Sequence, residues 1–265
     1  MGTKLLIAVL LFGTGLVLLP MENSVRNQRV RLKYGGAHVT FELREAIGQN
    51  LAIALLAGMR GVVADFIWIQ SHGFWEKKEW LRQYRDIEIV ATLQPQSILF
   101  WDLGSWHMAF NIGYGARSDP QNRTQAEGIK REREWHEKAR DFLERGIENV
   151  PNRYDLYFYM GWLYYEKLSK DCDAPPCKEA LCRAAEYFRQ AASFPDAPQY
   201  VARMYPRSLE KCGDLEASYA EWKRLWFQDH TKVEQLWSVI EREIKQLENR
   251  LKIPNDKRVF PLATS

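Results

Sequence analysis

The stretch VPNRYDLYFYMGWLYYEKL, residues 150–168, sets seven aromatic side chains around a single glycine, Gly161, behind a proline. On a helix, residues three and four apart share a face, so Tyr157, Gly161 and Tyr164 lie one above another. Where two helices approach closely no side chain larger than Gly or Ala fits, and rings one turn away fill the space beside the contact. Pro151 ends the preceding helix and lets this one begin. The arrangement returns along the chain. Ala139, Leu143, Gly146 and Pro151 hold the spacing of a partner helix closed by a proline. Ala184, Phe188 and Ala191 repeat it before Pro195, and Ile87 and Val90 repeat it before Pro95. Phe100, Leu103, Gly104 and His107 repeat the ring-and-glycine helix. A chain patterned this way folds by stacking helix pairs, each unit burying its apolar face on the next.

From Glu45 onward apolar residues recur at three and four, a helical period. Helices are expected over 45–76, with a break near Gly58 or Gly61, and over 79–93, 97–112, 127–149, 153–168, 177–193, 198–211, 214–228 and 231–251. Pro206 falls inside one of these and should kink or shorten it. The connections 115–128 and 169–177 are longer than the rest. Ahead of the helices, Val30, Leu32 and Tyr34 alternate with polar residues, as do Val39, Phe41 and Leu43, on either side of Gly35-Gly36. That is the signal of a small β-hairpin.

The ring, glycine and terminal-proline spacings resemble the tetratricopeptide repeat family, W-x2-L-G-x2-Y followed by A-x3-F and a proline. The resemblance runs from about residue 57 to residue 229 and covers about four helix pairs. It implies an all-α, TPR-like α-solenoid that binds a protein or peptide partner along the concave face lined by its first helices. Two long inserts depart from the family, stretching the spacing of the terminal prolines to 56 residues (Pro95 to Pro151) and 44 residues (Pro151 to Pro195). The whole order also resembles bacterial membrane-anchored repeat proteins, a likeness that implies no activity. The expected domains are an N-terminal membrane anchor or signal segment (1–21), a linker and β-hairpin (22–44), a helical repeat domain (45–251) and an extended C-terminal tail (252–265).

The anchor rests on fifteen uncharged residues from Leu5 to Leu19, or seventeen counted to Met21. Seventeen is about the shortest run that spans a bilayer as a helix. Signal peptides have apolar runs of about 7–15 residues followed by a small-x-small cleavage site; PMENS offers no such site, which favours an uncleaved transmembrane anchor over residues 5–21. Arg26, Arg29, Arg31 and Lys33 after the run favour a cytoplasmic body. The short basic leader and an even number of cysteines favour an extracytoplasmic one, which is the leading reading.

The first-helix spacing puts Asp65, Trp68, His72, Trp75 and Glu76 on the concave face of one repeat. It puts Leu99, Asp102, Trp106, Ala109 and Phe110 there in the next, and Asp155, Phe158, Trp162, Tyr165 and Glu166 in the third. Trp and Tyr dominate interface hot spots, and with carboxylates they suit a peptide carrying basic and apolar side chains. The competing reading is that these rings pack internally.

With 37 basic and 34 acidic side chains the net charge is +3, so there is no global case for nucleic acid, which calls for a basic stripe. The five histidines form no paired zinc spacing, and no nucleophile elbow or phosphate-binding glycine loop occurs. No catalytic residue, metal or cofactor is expected. The second reading is a metal- or His/Asp-dependent enzyme built on His72, His107, Asp65 and Asp102; the third is a purely structural subunit of a membrane complex. The cysteines are not in zinc spacing. In an oxidising compartment Cys172 can bridge Cys177, or Cys182 can bridge Cys212; otherwise Cys182 and Cys212 are buried thiols. The function most consistent with these features is a membrane-tethered scaffold within an envelope assembly of the secretion, pilus or transport type.

Overall fold

The computed structural model describes residues 58–172, 176–228 and 234–262. The expected anchor, the hairpin and the start of the first helix lie outside the described residues. Within them the protein is all-helical, with no strand, and no helix is long and apolar enough to cross a membrane. The chain divides into two compact units at Pro151–Asn152.

Unit 1 contains α1 (Arg60–Glu76), α2 (Trp80–Leu93) and α3 (Ile98–Trp106). A π-helical turn, His107–Ile112, carries the chain on into the short α4 (Gly113–Arg117), and α5 (Gln125–Asn149) follows. The helices pack largely in sequence order: α1 on α2, α2 on α3, and α3 and α4 on α5. Val63, Ala64 and Ile67 of α1 meet Ile89, Val90 and Leu93 of α2 and Phe100 of α3 in one apolar cluster. Further along α3, a Cβ on Gly104 would lie 2.8 Å from both Ile87 and Phe142, so glycine there sets how near the neighbouring helices come. The Trp101 indole N–H donates to the carbonyl of Pro95, buried, at 2.9 Å, which pins the start of α3 to the turn that precedes it. Thr124 caps α5: its hydroxyl accepts from the Glu127 N–H at 3.1 Å, and the Glu127 carboxylate accepts from the Arg123 N–H at 2.9 Å. This reciprocal pattern is close to a capping box.

Unit 2 contains α6 (Tyr154–Glu166), α7 (Lys178–Ala192), α8 (Gln199–Cys212), α9 (Leu215–Gln228) and α10 (Glu234–Arg250). Each packs on the next. Leu156, Met160, Leu181, Ala184, Phe188 and Val201 are buried between α6, α7 and α8. Gly213 ends α8 at φ 101°, a left-handed conformation that glycine adopts without strain. The Asp214 N–H then reaches the Leu209 carbonyl at 2.9 Å, as in a Schellman stop. Asp214 at once starts α9 by accepting from the Ala217 N–H at 3.0 Å. Pro206 does not shorten α8: the helix runs through it to Cys212, and the buried Ser218 hydroxyl of α9 donates to the Pro206 carbonyl at 2.8 Å. Trp222, Ile240, Ile244 and Leu247 form a second cluster. The tail runs back over it, with Val259 and Phe260 packed against it and Phe260 edge-on to Trp226 at 5.0 Å.

Both cysteine pairs weighed in the sequence are bridged. Cys172 joins Cys177 within the 169–177 insert, and Cys182 on α7 joins Cys212 at the end of α8, with Cα atoms 5.9 and 5.1 Å apart. The protein has no free cysteine.

Candidate functional site

In unit 1, α1 and the α3–π segment bring Trp68, Trp75 and Trp106 around one imidazole, His107. The ring centroids lie 6.1, 6.3 and 5.3 Å from it, each ring near edge-on. Phe110 stacks on Trp106 at 6.0 Å, and His72 stacks on Trp75 at 5.0 Å. Trp106 is 45% exposed, so the cluster opens to solvent on that side. Below it, Trp68 leans on Phe100 at 5.4 Å and so is joined to the core.

The π turn shapes this site. Hydrogen bonding from i to i+5 fits an extra residue into a turn, and such turns are frequent at functional sites. Side chains beyond it are rotated away from where an uninterrupted α-helix would put them. The regular spacing assigns Ala109 to the concave face; it is wholly buried instead. Asn111, which that spacing does not single out, lies 2.8 Å from His107 Nδ1 through its side-chain amide nitrogen. An amide NH2 only donates, so Nδ1 accepts and the neutral ring carries its proton on Nε2. Burial, and then the nearby His72, push the His107 pKa down to about 4. The site is therefore a neutral N–H donor among indole walls at pH 7. Because the folded pKa lies below the ordinary histidine value, the folded state binds fewer protons than the unfolded chain in between. Stability contributed by keeping His107 neutral is complete above about pH 6.5 and is lost as pH falls towards 4. An NMR titration should give a His107 midpoint near 4, with unfolding made easier over that same window. A midpoint at 6 or above would mean that the ring is freely solvated.

The carboxylates expected beside these rings differ in their surroundings. Asp65 is exposed in the middle of α1. Asp102 is half-buried, and its carbonyl accepts from the Ser105 hydroxyl at 2.8 Å. His72 lies 3.7 Å from Glu76. Among the described residues, no group of three or more His, Cys, Asp or Glu side chains could hold a metal ion.

In unit 2, Phe158, Trp162 and Tyr165 form a stacked stripe along α6, with successive centroids 6.5 and 6.0 Å apart and nearly parallel planes. Phe158 and Tyr165 rest on the buried Phe188 at 5.5 and 6.3 Å, while Trp162 between them is 37% exposed. Tyr200 of α8 meets Phe158 edge-on at 5.4 Å, and the Lys211 ammonium sits 5.3 Å from the Tyr165 ring centroid. Asp155 is bound by the Arg153 guanidinium at 3.0 and 3.1 Å in the first turn of α6, where a carboxylate also suits the helix dipole. Tyr200 and Lys211 lie on α8, the first helix of the fourth expected pair, where the sequence reading names no concave-face residues. The ridge Val62, Phe66 and Ile69 on α1, 45, 64 and 68% exposed, also escapes that pattern. Its i, i+4, i+7 spacing is nevertheless visible in the sequence.

No known protein family, no curated protein and no solved structure matches the chain. The likeness to tetratricopeptide repeats therefore rests on residue spacing.

Proposed function

We propose that the chain is a tetratricopeptide-like scaffold that binds a protein or peptide segment carrying apolar and basic side chains, and that residues 5–21 tether it to a membrane. The observation that carries the binding reading is the pair of half-open ring clusters. In each unit one tryptophan, Trp106 or Trp162, stands about two-fifths exposed on rings fixed by the core behind them. An aromatic surface held rigid before binding loses little entropy when a partner arrives, which is how such residues become hot spots. The neutral His107 adds a donor for a backbone carbonyl. Two disulfides with no free thiol support an extracytoplasmic body, because reducing compartments keep thiols free.

The test is co-purification from native membranes after mild cross-linking, comparing the wild type with Trp106→Ala and Trp162→Ala. Hot-spot truncation costs about 2 kcal/mol or more in binding, roughly thirtyfold. The species retained by the wild type should therefore be depleted at least tenfold in both variants, with thermal midpoints unchanged within about 2 °C. Undiminished capture by both variants would remove the aromatic faces from the interaction. A thermal loss as large as that of a core substitution would make these rings internal packing.

A further inference from the structure

Unit 2 holds a cavity of about 490 Å3 among α7, α8, α9 and α10, within the range of about 300–1,000 Å3 that takes small-molecule ligands. Its floor is apolar: Ala192 at the end of α7, Ala202 on α8, Leu225 on α9, and Trp237 and Ile240 on α10. Two arginines line it, Arg203 from α8 and Arg224 from α9, and they differ in their partners. Arg224 Nε lies 2.9 Å from each carboxylate oxygen of Glu221, and its terminal nitrogens contact Glu221 and Gln228. Its charge is compensated within its own helix. No carboxylate among the described residues pairs with Arg203, and the neighbour acting on it is a like charge, Arg207, one turn further along α8. Burial first, and Arg207 second, lower the Arg203 pKa from the ordinary arginine value; an arginine remains protonated all the same.

We propose that this cavity binds an amphiphilic anion, with one anionic head on Arg203 and an alkyl chain along the floor of Ala202, Leu225, Trp237 and Ile240. A half-buried cation with no counter-ion among the described residues is costly, and a ligand that brings the charge relieves the cost. One uncompensated guanidinium matches one anionic head, which its planar fork can bind through two parallel hydrogen bonds. Among the described residues the other polar side chains in the lining are Gln199 and Gln228, and an apolar balance of this kind suits an alkyl chain. A free fatty acid and an anionic membrane lipid share the required chemistry. The site belongs to unit 2 alone and does not depend on the aromatic faces.

Isothermal titration of the full chain in phosphatidylcholine nanodiscs, with empty nanodiscs as the blank, tests this with octanoate and octanol. Octanoate should bind at least about tenfold tighter than octanol, the difference of a charge-assisted hydrogen bond. Arg203→Gln should remove that preference and Arg203→Lys should keep most of it, while Ala202→Leu, which fills the floor, should weaken both ligands. Nanodiscs containing phosphatidylglycerol separate the two sources. Weakened octanoate binding there assigns the site to membrane lipid, and unchanged binding assigns it to a soluble fatty acid. Heats equal to the blank, equal affinity for octanol, or full octanoate affinity in Arg203→Gln would each overturn the proposal.

Discussion

Gly161→Leu is expected to lower the thermal midpoint by about 6–12 °C, corresponding to roughly 3 kcal/mol in a body of this size. The first atom that any side chain adds at this position already collides. A Cβ on Gly161 would lie 2.9 Å from Phe188 Cδ1 and Cε1 and 3.1 Å from Cγ. Phe188 cannot swing aside cheaply. Its ring is fully buried and is flanked by Phe158 at 5.5 Å and Tyr165 at 6.3 Å. A branched side chain must therefore push α6 and α7 apart, losing contacts along their whole interface. Gly161→Ala should give a smaller loss in the same direction, because a single methyl demands less displacement of Phe188 than a branched side chain does. Trp162→Ala, one residue on, should leave the midpoint nearly unchanged, since that ring lies on the outer side of the stripe. The check is calorimetry of the three variants side by side. An unaffected midpoint in Gly161→Leu would mean that the helices have room to part, and the close-approach reading of the glycine would fail.

The same glycine explains why so much of the fold was legible. Close contacts between helices demand small residues at fixed spacing, and Gly104, Ala139, Gly146, Gly161 and Ala184 carry that demand in the sequence itself. Helix ends were legible for the same kind of local reason: Pro151 and Pro195 cannot continue a helix, and Gly213 followed by Asp214 stops one and starts the next. The π turn at His107–Ile112 was not legible, because nothing in HMAFNI distinguishes i+5 from i+4 hydrogen bonding. Its cost to the reading was specific. Trp106, before the turn, stands exposed where the period puts it, whereas Ala109, within the turn, is in the core. The surroundings of the recurring aspartates were not legible for another reason: Asp155 is bound by Arg153 at a helix start and Asp65 is exposed in the middle of one, so equal spacing does not give them equal settings. The cavity in unit 2 was invisible for a third reason. Its walls come from four helices, and the isolation of Arg203 is a property of what surrounds it in space.

Removing the bond between Cys182 and Cys212 is expected to cost roughly 3.5 kcal/mol, since it closes a 30-residue span. The bond between Cys172 and Cys177 closes a span of 5 residues, for which the same chain-entropy relation gives about 2 kcal/mol. The longer bridge also holds two helices, whereas the shorter one closes a loop whose backbone is already tied by the Cys177 N–H to the Ser169 carbonyl at 2.7 Å. Loss of the longer bridge should therefore matter more. Paired Cys→Ser variants test the order: the variant at 182 and 212 should unfold about 7–14 °C below the wild type, and the variant at 172 and 177 by roughly half that. Cys182 is exposed, so reductant should reach its bond without prior unfolding and reproduce the larger shift in the wild type. The same chemistry reports the side of the membrane. On intact cells, a membrane-impermeant thiol reagent should label none of the four cysteines until a reductant is added, if the body lies outside the cytoplasm. Labelling that requires lysis but no reductant would put the body in the cytoplasm, where Arg26, Arg29, Arg31 and Lys33 would account for the orientation. Equal midpoints with and without reductant would show that neither bridge restrains the chain.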